Sequence, residues 1–279
     1  MVAGGLRREV LLLRWFRFFS SVAMAVSLAL VSPRADPLPD LGCKQPIRLA
    51  FYEFGTLFHQ GVGIDRDVVD EIARRTACKF ETQILPRNEI WQRLESGQLD
   101  MTTSGTETTS RAAFAYFIPY LGLKNVVVAR HAEAAKISSF DDILARPDLR
   151  IGVVAGFLYG GYYDNRLQTP ANQSQIRTYL DQQSLYLGLE NDDVQVILTA
   201  AVNYEFYLSP DEREQRFAIA DLSPAPPLPH AMVFARSRFT PAMINDWTRV
   251  LERMRLDGTL QRIYQRSLPP DIAVSLLTY

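Results

Sequence analysis

The first long apolar run is unlike all those that follow. Residues 18–33 carry no charge, and the segment before them holds Arg7, Arg8, Arg14 and Arg17 against one acid, Glu9. After Cys43 the pattern changes to short apolar runs separated by helical stripes. Ile47–Tyr52 (IRLAFY) predicts a strand. Gly61 and Gly63 break the chain, and Ile64, Val68, Val69, Ile72 and Ala73 then fall on one stripe at helical spacing. Further strands are predicted at Lys79–Leu85, Leu99–Thr103, Lys124–Arg130, Arg150–Val154, Val194–Leu198, Phe217–Leu222 and Ala231–Arg236. Between them lie a short helix carrying Ile90, Trp91 and Leu94, one near Thr108–Tyr116, and a polar-faced one over Ser174–Leu189. The last helix has Thr240 as its cap, Pro241 in its first turn and Gly258 beyond its end. Strands alternating with helices argue for an α/β protein with parallel sheets.

The basic segment, the uncharged run and the small residue Ala35 have the form of a secretory signal peptide, assigned to residues 1–35. The alternative is a short anchor that stays uncleaved. The run is shorter than the ~20 apolar residues a spanning helix needs. Charge and length then read differently. The whole chain has 279 residues and a net charge of −1. Cleavage after Ala35 removes five arginines and one glutamate, leaving 244 residues at −5. A mildly acidic mature chain of ordinary composition excludes a nucleic-acid binder and a disordered protein as first readings.

Chemistry-bearing motifs are few. His59, His131 and His230 are the only histidines and lie far apart, which argues against a zinc site. No Gly-x-Ser-x-Gly elbow is present, and the Gly156–Gly161 turn lacks the lysine of a phosphate-binding loop. No cofactor, metal or catalytic residue is assigned.

Four stretches in order carry a resemblance: IRLAFYEFGTLF with GIDRDVVDEIARR, then WQRLESGQLDMTTSGTETTSRAAFAYFIPYL, then LRIGVVAG, then LDGTLQRIY. Together the chain resembles the type II periplasmic solute-binding proteins, in the amino-acid receptor branch of ABC transporters (bacterial extracellular solute-binding protein family 3). The resemblance implies an α/β fold of two lobes joined by two crossover strands. Lobe 1 is discontinuous, 44–124 plus 231–279, and lobe 2 is 125–230. Hinges are expected near Gly122–Val126 and Pro229–Met232. It also makes the first two strands parallel neighbours, so that Cys43 and Cys78 share one sheet edge, where a disulfide is geometrically reasonable in an exported chain.

The resemblance places the ligand in the cleft between lobes. Arg111 follows a hydroxyl-rich turn entering a helix and matches the family arginine that holds a ligand carboxylate; a guanidinium can do so bidentately. Ser104 and Thr106 match donors to the same ligand, and also suit helix capping. Tyr52 and Phe54 follow the first strand, where aromatic faces stack on a ligand or pack beneath the cleft, with Glu53 pointing the other way. In lobe 2 the pattern departs from amino-acid binders. Phe157 and Leu158 stand where a Ser/Thr pair is usual, Tyr159 follows as a candidate contact, and no acid for an ammonium lies near Thr199–Ala200.

The reading is therefore a periplasmic binding protein, monomeric and without catalysis, for a carboxylate-bearing solute with an apolar or aromatic body. Its membrane partner is an ABC permease or a sensor. Two alternatives stay open. One is an enzyme on the same fold, similar to cyclohexadienyl dehydratases, with Glu53, Glu107 or Glu205 as its acid. The other is a sensor domain retained at the membrane.

Overall fold

The computed structural model describes residues 40–279; the segment read as a signal peptide or anchor lies outside the described residues. From 40 onward the chain builds two five-stranded sheets. The first takes β1 (Ile47–Phe51), β2 (Phe80–Ile84), β3 (Met101–Gly105) and β4 (Ala115–Leu123). The second takes β5 (Asn125–Arg130), β6 (Ile151–Val154), β7 (Ile176–Tyr179), β8 (Val196–Ala200) and β9 (Phe217–Ala220). The chain then returns to the first sheet with β10 (Leu228–Ala235). The strand orders are β2-β1-β3-β10-β4 and β7-β6-β8-β5-β9.

Each sheet is mixed rather than parallel throughout. β1 runs parallel to β2 and β3, and β6 runs parallel to β7 and β8. β10 is antiparallel to β3 and β4, and β5 is antiparallel to β8 and β9. The reversals follow from exchanging strands between lobes. In each sheet the order switches at one strand, β1 in the first and β6 in the second. Such switch points open a crevice beyond the carboxyl ends of the strands.

Alternation along the strands explains the cores. In β5 and β8, Val127, Ala129, Val196 and Leu198 face one apolar cluster, while Val128 and Ile197 face another across the sheet. The first sheet packs into a larger cluster with the last long helix, Pro241–Leu256. Thr240 accepts from the Met243 N–H as its cap, and the fully buried Trp247 donates its indole N–H to the Leu41 carbonyl.

Two predicted helices are corrected. The helix near Thr108–Tyr116 is one turn, Thr109–Ala112, after which the chain becomes β4. β4 carries Pro119, and as an edge strand it tolerates the missing N–H. The helix over Ser174–Leu189 divides into a 3₁₀ turn at Pro170–Gln175, strand β7, and a helix at Gln182–Glu190 capped by Asp181. β7 is also an edge strand, half exposed, so it lacks a continuous apolar run.

The sheets are joined by Lys124, between β4 and β5, and by residues 221–227, between β9 and β10. The second crossing thus precedes Pro229–Met232, which already belong to β10. Lys124 ties the two crossings together. Its ammonium donates to the carbonyls of Ser223 (2.9 Å) and Ala225 (2.6 Å) and pairs with Asp221 (3.1 Å). Among the described residues no helix is long and apolar enough to cross a membrane, and no cluster of His, Cys, Asp and Glu suits a metal ion.

Cys43 and Cys78 lie just ahead of β1 and β2 and are joined by a disulfide, with Cα atoms 5.4 Å apart. Closing a loop across a separation of 35 residues contributes about 3–4 kcal/mol in the chain-entropy description. The double Cys43→Ser, Cys78→Ser variant is expected to melt roughly 6–16 °C lower. Alkylation of the unreduced, denatured protein should label no thiol; two labelled thiols would contradict the bridge.

Candidate functional site

The carboxyl ends of β1 and β3 supply the first half of the site. Beyond β1 the strand's alternation continues: Tyr52 and Phe54 are buried, while Glu53 is exposed and pairs with His59 at 2.9 Å. At the end of β3, Ser104 adopts φ +50°, a left-handed conformation uncommon for a residue with a side chain. Its neighbours over-determine it. The Ser104 carbonyl accepts from the Tyr52 hydroxyl (2.9 Å) and from His230 Nδ1 (3.0 Å). Its N–H donates to the Tyr120 oxygen (3.1 Å), and its hydroxyl donates to Asp65 (2.8 Å). Tyr120 also donates to Asp65, which is 1 % exposed. Burial pushes the Asp65 carboxyl up to about 6, although these donors oppose the rise.

This bend positions the turn that follows. A Cβ on Gly105 would lie 2.3 Å from Val233 and 3.0 Å from the Trp91 ring, so the backbone there sits directly against the indole. Thr106 is buried, its hydroxyl without a partner, and its carbonyl accepts from Arg111 Nη1 (2.9 Å). Thr108 caps the single turn that carries Arg111. One turn has little macrodipole, so the anion-attracting element here is the guanidinium itself. It lies 3.8 Å from the Trp91 ring centre, and burial together with Arg87 lowers it to about 10.

Arg87, in the first turn of the helix Arg87–Glu95, escaped the sequence reading. Its guanidinium donates to the Tyr52 hydroxyl and lies among three rings, 4.6 Å from Tyr52, 5.3 Å from Phe157 and 6.0 Å from Phe54. Its Nε is buried and has no hydrogen-bond partner. The predicted residues Tyr52, Phe54, Ser104, Thr106 and Arg111 thus cluster around the ends of β1 and β3. Of these, Ser104 has its hydroxyl committed to Asp65.

The second lobe approaches through two segments. After β6, Phe157 packs edge-on against Phe54 with ring centres 5.4 Å apart. Tyr159 stands behind it, 4 % exposed, its hydroxyl accepting from the Val154 N–H, so it supports Phe157 (4.8 Å) rather than lining the cleft. The helix Ala201–Tyr207 meets the loop after β1: the Thr56 N–H donates to the Val202 carbonyl (3.0 Å), and His59 lies 4.9 Å from Phe206. Gly55, at φ +54°, leaves no room for a side chain, since a Cβ would sit 2.5 Å from Asn203 Oδ1. The lobes are therefore in direct contact.

Of the three candidate acids, two are already partnered. Glu53 pairs with His59, and Glu205 pairs with Arg213; Glu107 is exposed. Thr199 is buried and hydrogen-bonds to the Tyr186 hydroxyl at 2.9 Å, with Ala200 beside it.

The sequence profile of the bacterial extracellular solute-binding proteins, family 3, matches residues 50–269. The chain belongs to this family. Its fold agrees with solved members of the type II periplasmic class. The arginine-, lysine-, histidine-binding protein ArtJ from Geobacillus stearothermophilus is 16 % identical, with 80 % of this chain and 95 % of that chain covered at a TM-score of 0.65. An arginine 3rd transport system periplasmic binding protein from Legionella pneumophila is 21 % identical, covering 80 % and 99 % at 0.63. The ancestral amino-acid-binding protein AncCDT-1, described as a precursor of cyclohexadienyl dehydratase, is 19 % identical, covering 80 % and 96 % at 0.66. No curated protein matches significantly. In this family 3 chain the β1 and β3 ends and the Phe157 turn together form an aromatic cleft holding two arginines.

His230 offers a test of this geometry. Burial holds its imidazole down to about 3, whereas the unfolded chain protonates near 6.5. The folded state thus has stability above pH 6.5 that is lost as pH falls toward 3. Asp65 acts with the opposite sign between about 4 and 6, since its carboxyl is raised. The difference in stability between wild type and His230→Asn should therefore shrink as pH drops from 7 to 4. A pH-independent difference in denaturant titrations would contradict a buried neutral His230.

Proposed function

We propose that the chain is an exported binding protein that closes its two lobes over a small carboxylate-bearing solute with an apolar body and passes it to an ABC-type permease. Lobe boundaries at 44–124 plus 231–279 and at 125–230 belong to this reading, as do the exported location and the ligand roles of Tyr52, Phe54, Thr106 and Arg111. The observation that carries it is Arg111: a half-buried guanidinium beside the cleft, stacked on Trp91, with no acidic partner among the described residues. A buried cation without a counter-charge is costly, and a ligand carboxylate removes that cost. Family membership supports solute binding as the activity.

The relatives named for arginine, lysine or histidine suggest an amino acid, but a free α-amino acid calls for an acidic partner for its ammonium. Near Thr199–Ala200 there is no acid, and Glu53 and Glu205 are engaged elsewhere. The same engagement removes Glu53 and Glu205 as acids for dehydratase chemistry, and Glu107 is exposed. We therefore read the protein as a binder of organic acids without catalysis.

Mass spectrometry of solute released from the purified protein by denaturation is the direct test, followed by calorimetry on refolded protein. An organic acid should appear; arginine or lysine bound with no response to carboxylates would overturn the proposal. Arg111→Gln should weaken binding roughly 30-fold or more, as expected when one partner of a buried charge pair is removed. Gly55→Ala obstructs the Thr56–Val202 seam, so it should lower affinity and enlarge the radius of gyration of the liganded protein in small-angle scattering while leaving each lobe folded.

A further inference from the structure

The cleft holds a second cation that the reading above does not use. Arg87 has no carboxylate partner among the described residues, and its only hydrogen bond there is to the neutral Tyr52 hydroxyl. Its buried Nε has no acceptor. The acid nearest in charge influence is Asp65, but that carboxylate lies beneath Ser104 and accepts from Ser104 and Tyr120. Rings from both lobes surround the Arg87 guanidinium, so it stands where the lobes meet rather than on an outer face. Two arginines without a carboxylate partner, Arg111 on Trp91 and Arg87 among the rings of Tyr52, Phe54 and Phe157, form a site for two negative charges.

We propose that Arg87 is a second anion contact and that the ligand class is an organic dianion, one carboxylate on Arg111 and a second acidic group on Arg87, with an apolar body against Tyr52, Phe54 and Phe157. This rests on the binding-protein reading and narrows it. The same three rings would otherwise suit a cationic side chain. Here the protein's own guanidinium occupies them, which excludes a second cation by repulsion and by space. The guanidinium fork fits a planar carboxylate through two parallel N–H donors, and the unpartnered Nε supplies one of them. A dianion also removes the cost of two cations that have no carboxylate partner.

The test uses calorimetry on the refolded mature protein with succinate, glutarate, benzylsuccinate and phthalate, each beside its monomethyl ester, and with L-arginine and L-lysine. At least one diacid should bind 10-fold or more tighter than its ester. Arg87→Gln should abolish that ratio, and Arg111→Gln should weaken the binding of diacid and ester alike. Circular dichroism melts on the variants separate lost contacts from lost fold; Arg87→Lys, which keeps the charge but not the fork, should restore part of the ratio. Equal binding of diacid and ester overturns the second contact and leaves the carboxylate reading standing. Failure of every diacid to bind, while a mono-ester binds, has the same meaning. Binding of arginine or lysine with no carboxylate bound overturns both.

Discussion

The site depends on the backbone at Ser104. Its left-handed bend ends β3 and turns the chain toward Thr106 and Arg111, and four elements hold it there. Tyr52 comes from the end of β1, His230 from β10, Tyr120 from β4 and Asp65 from the helix Ile64–Thr76. All four bond to this single residue. A strained φ persists only where its surroundings over-determine it, and here β10, the strand that returns from the second lobe, is one of the determinants. The direction in which Arg111 leaves the sheet is thus coupled to the crossover. A cleft residue and the lobe connection are parts of one hydrogen-bonded knot, in which every member is buried.

The seam between the lobes is made differently. It has one backbone hydrogen bond, Thr56 to Val202, and ring contacts of Phe54 with Phe157 and His59 with Phe206. Such contacts are non-directional apart from the single hydrogen bond, and their loss on opening costs little compared with unfolding either core. The crossings, by contrast, are stitched by Lys124 to two carbonyls of the opposite crossing. The structure therefore concentrates directional bonds at the crossings and around Ser104, and leaves the faces where the lobes meet mainly to ring contacts. That division suits lobes that swing as units, with hinge residues absorbing the change.

Much of this was legible in the residues, for identifiable reasons. Helices with a full apolar stripe, such as Ile64–Thr76 and Pro241–Leu256, fall where periodicity puts them. β4 and β7 do not: β4 is interrupted by Pro119, which an edge position tolerates, and β7 is short and half exposed. Arg111 is marked by the hydroxyl-rich turn before it together with the family resemblance. Arg87 was missed because Pro86-Arg87-Asn88-Glu89 has the look of a solvated first helical turn; only the fold shows that this turn overhangs Tyr52. Tyr159 was chosen over Phe157 because it carries a hydroxyl, yet that hydroxyl is spent on the Val154 N–H, and the ring without one reaches the other lobe. Polarity marks what can bond to a ligand, while the turn's geometry decides which side chain faces it.

Ligand class in a shared fold then comes down to where charge is fixed. At 16–21 % identity the named structural relatives share architecture with this chain and nothing finer. A cage of three rings is indifferent to sign until something fills it: the negative faces of Tyr52, Phe54 and Phe157 attract any cation. By placing Arg87 there, this chain uses the attraction internally and turns the cage's outward character positive. The rings then stabilise a guanidinium that would be costly to bury alone, and the guanidinium in turn sets what the cleft can accept. With Asp65 sealed under Ser104 and no acid at Thr199–Ala200, no residue of the cleft restores the balance. Aromatic content alone would have pointed to a cationic ligand; the occupant of the rings reverses that inference.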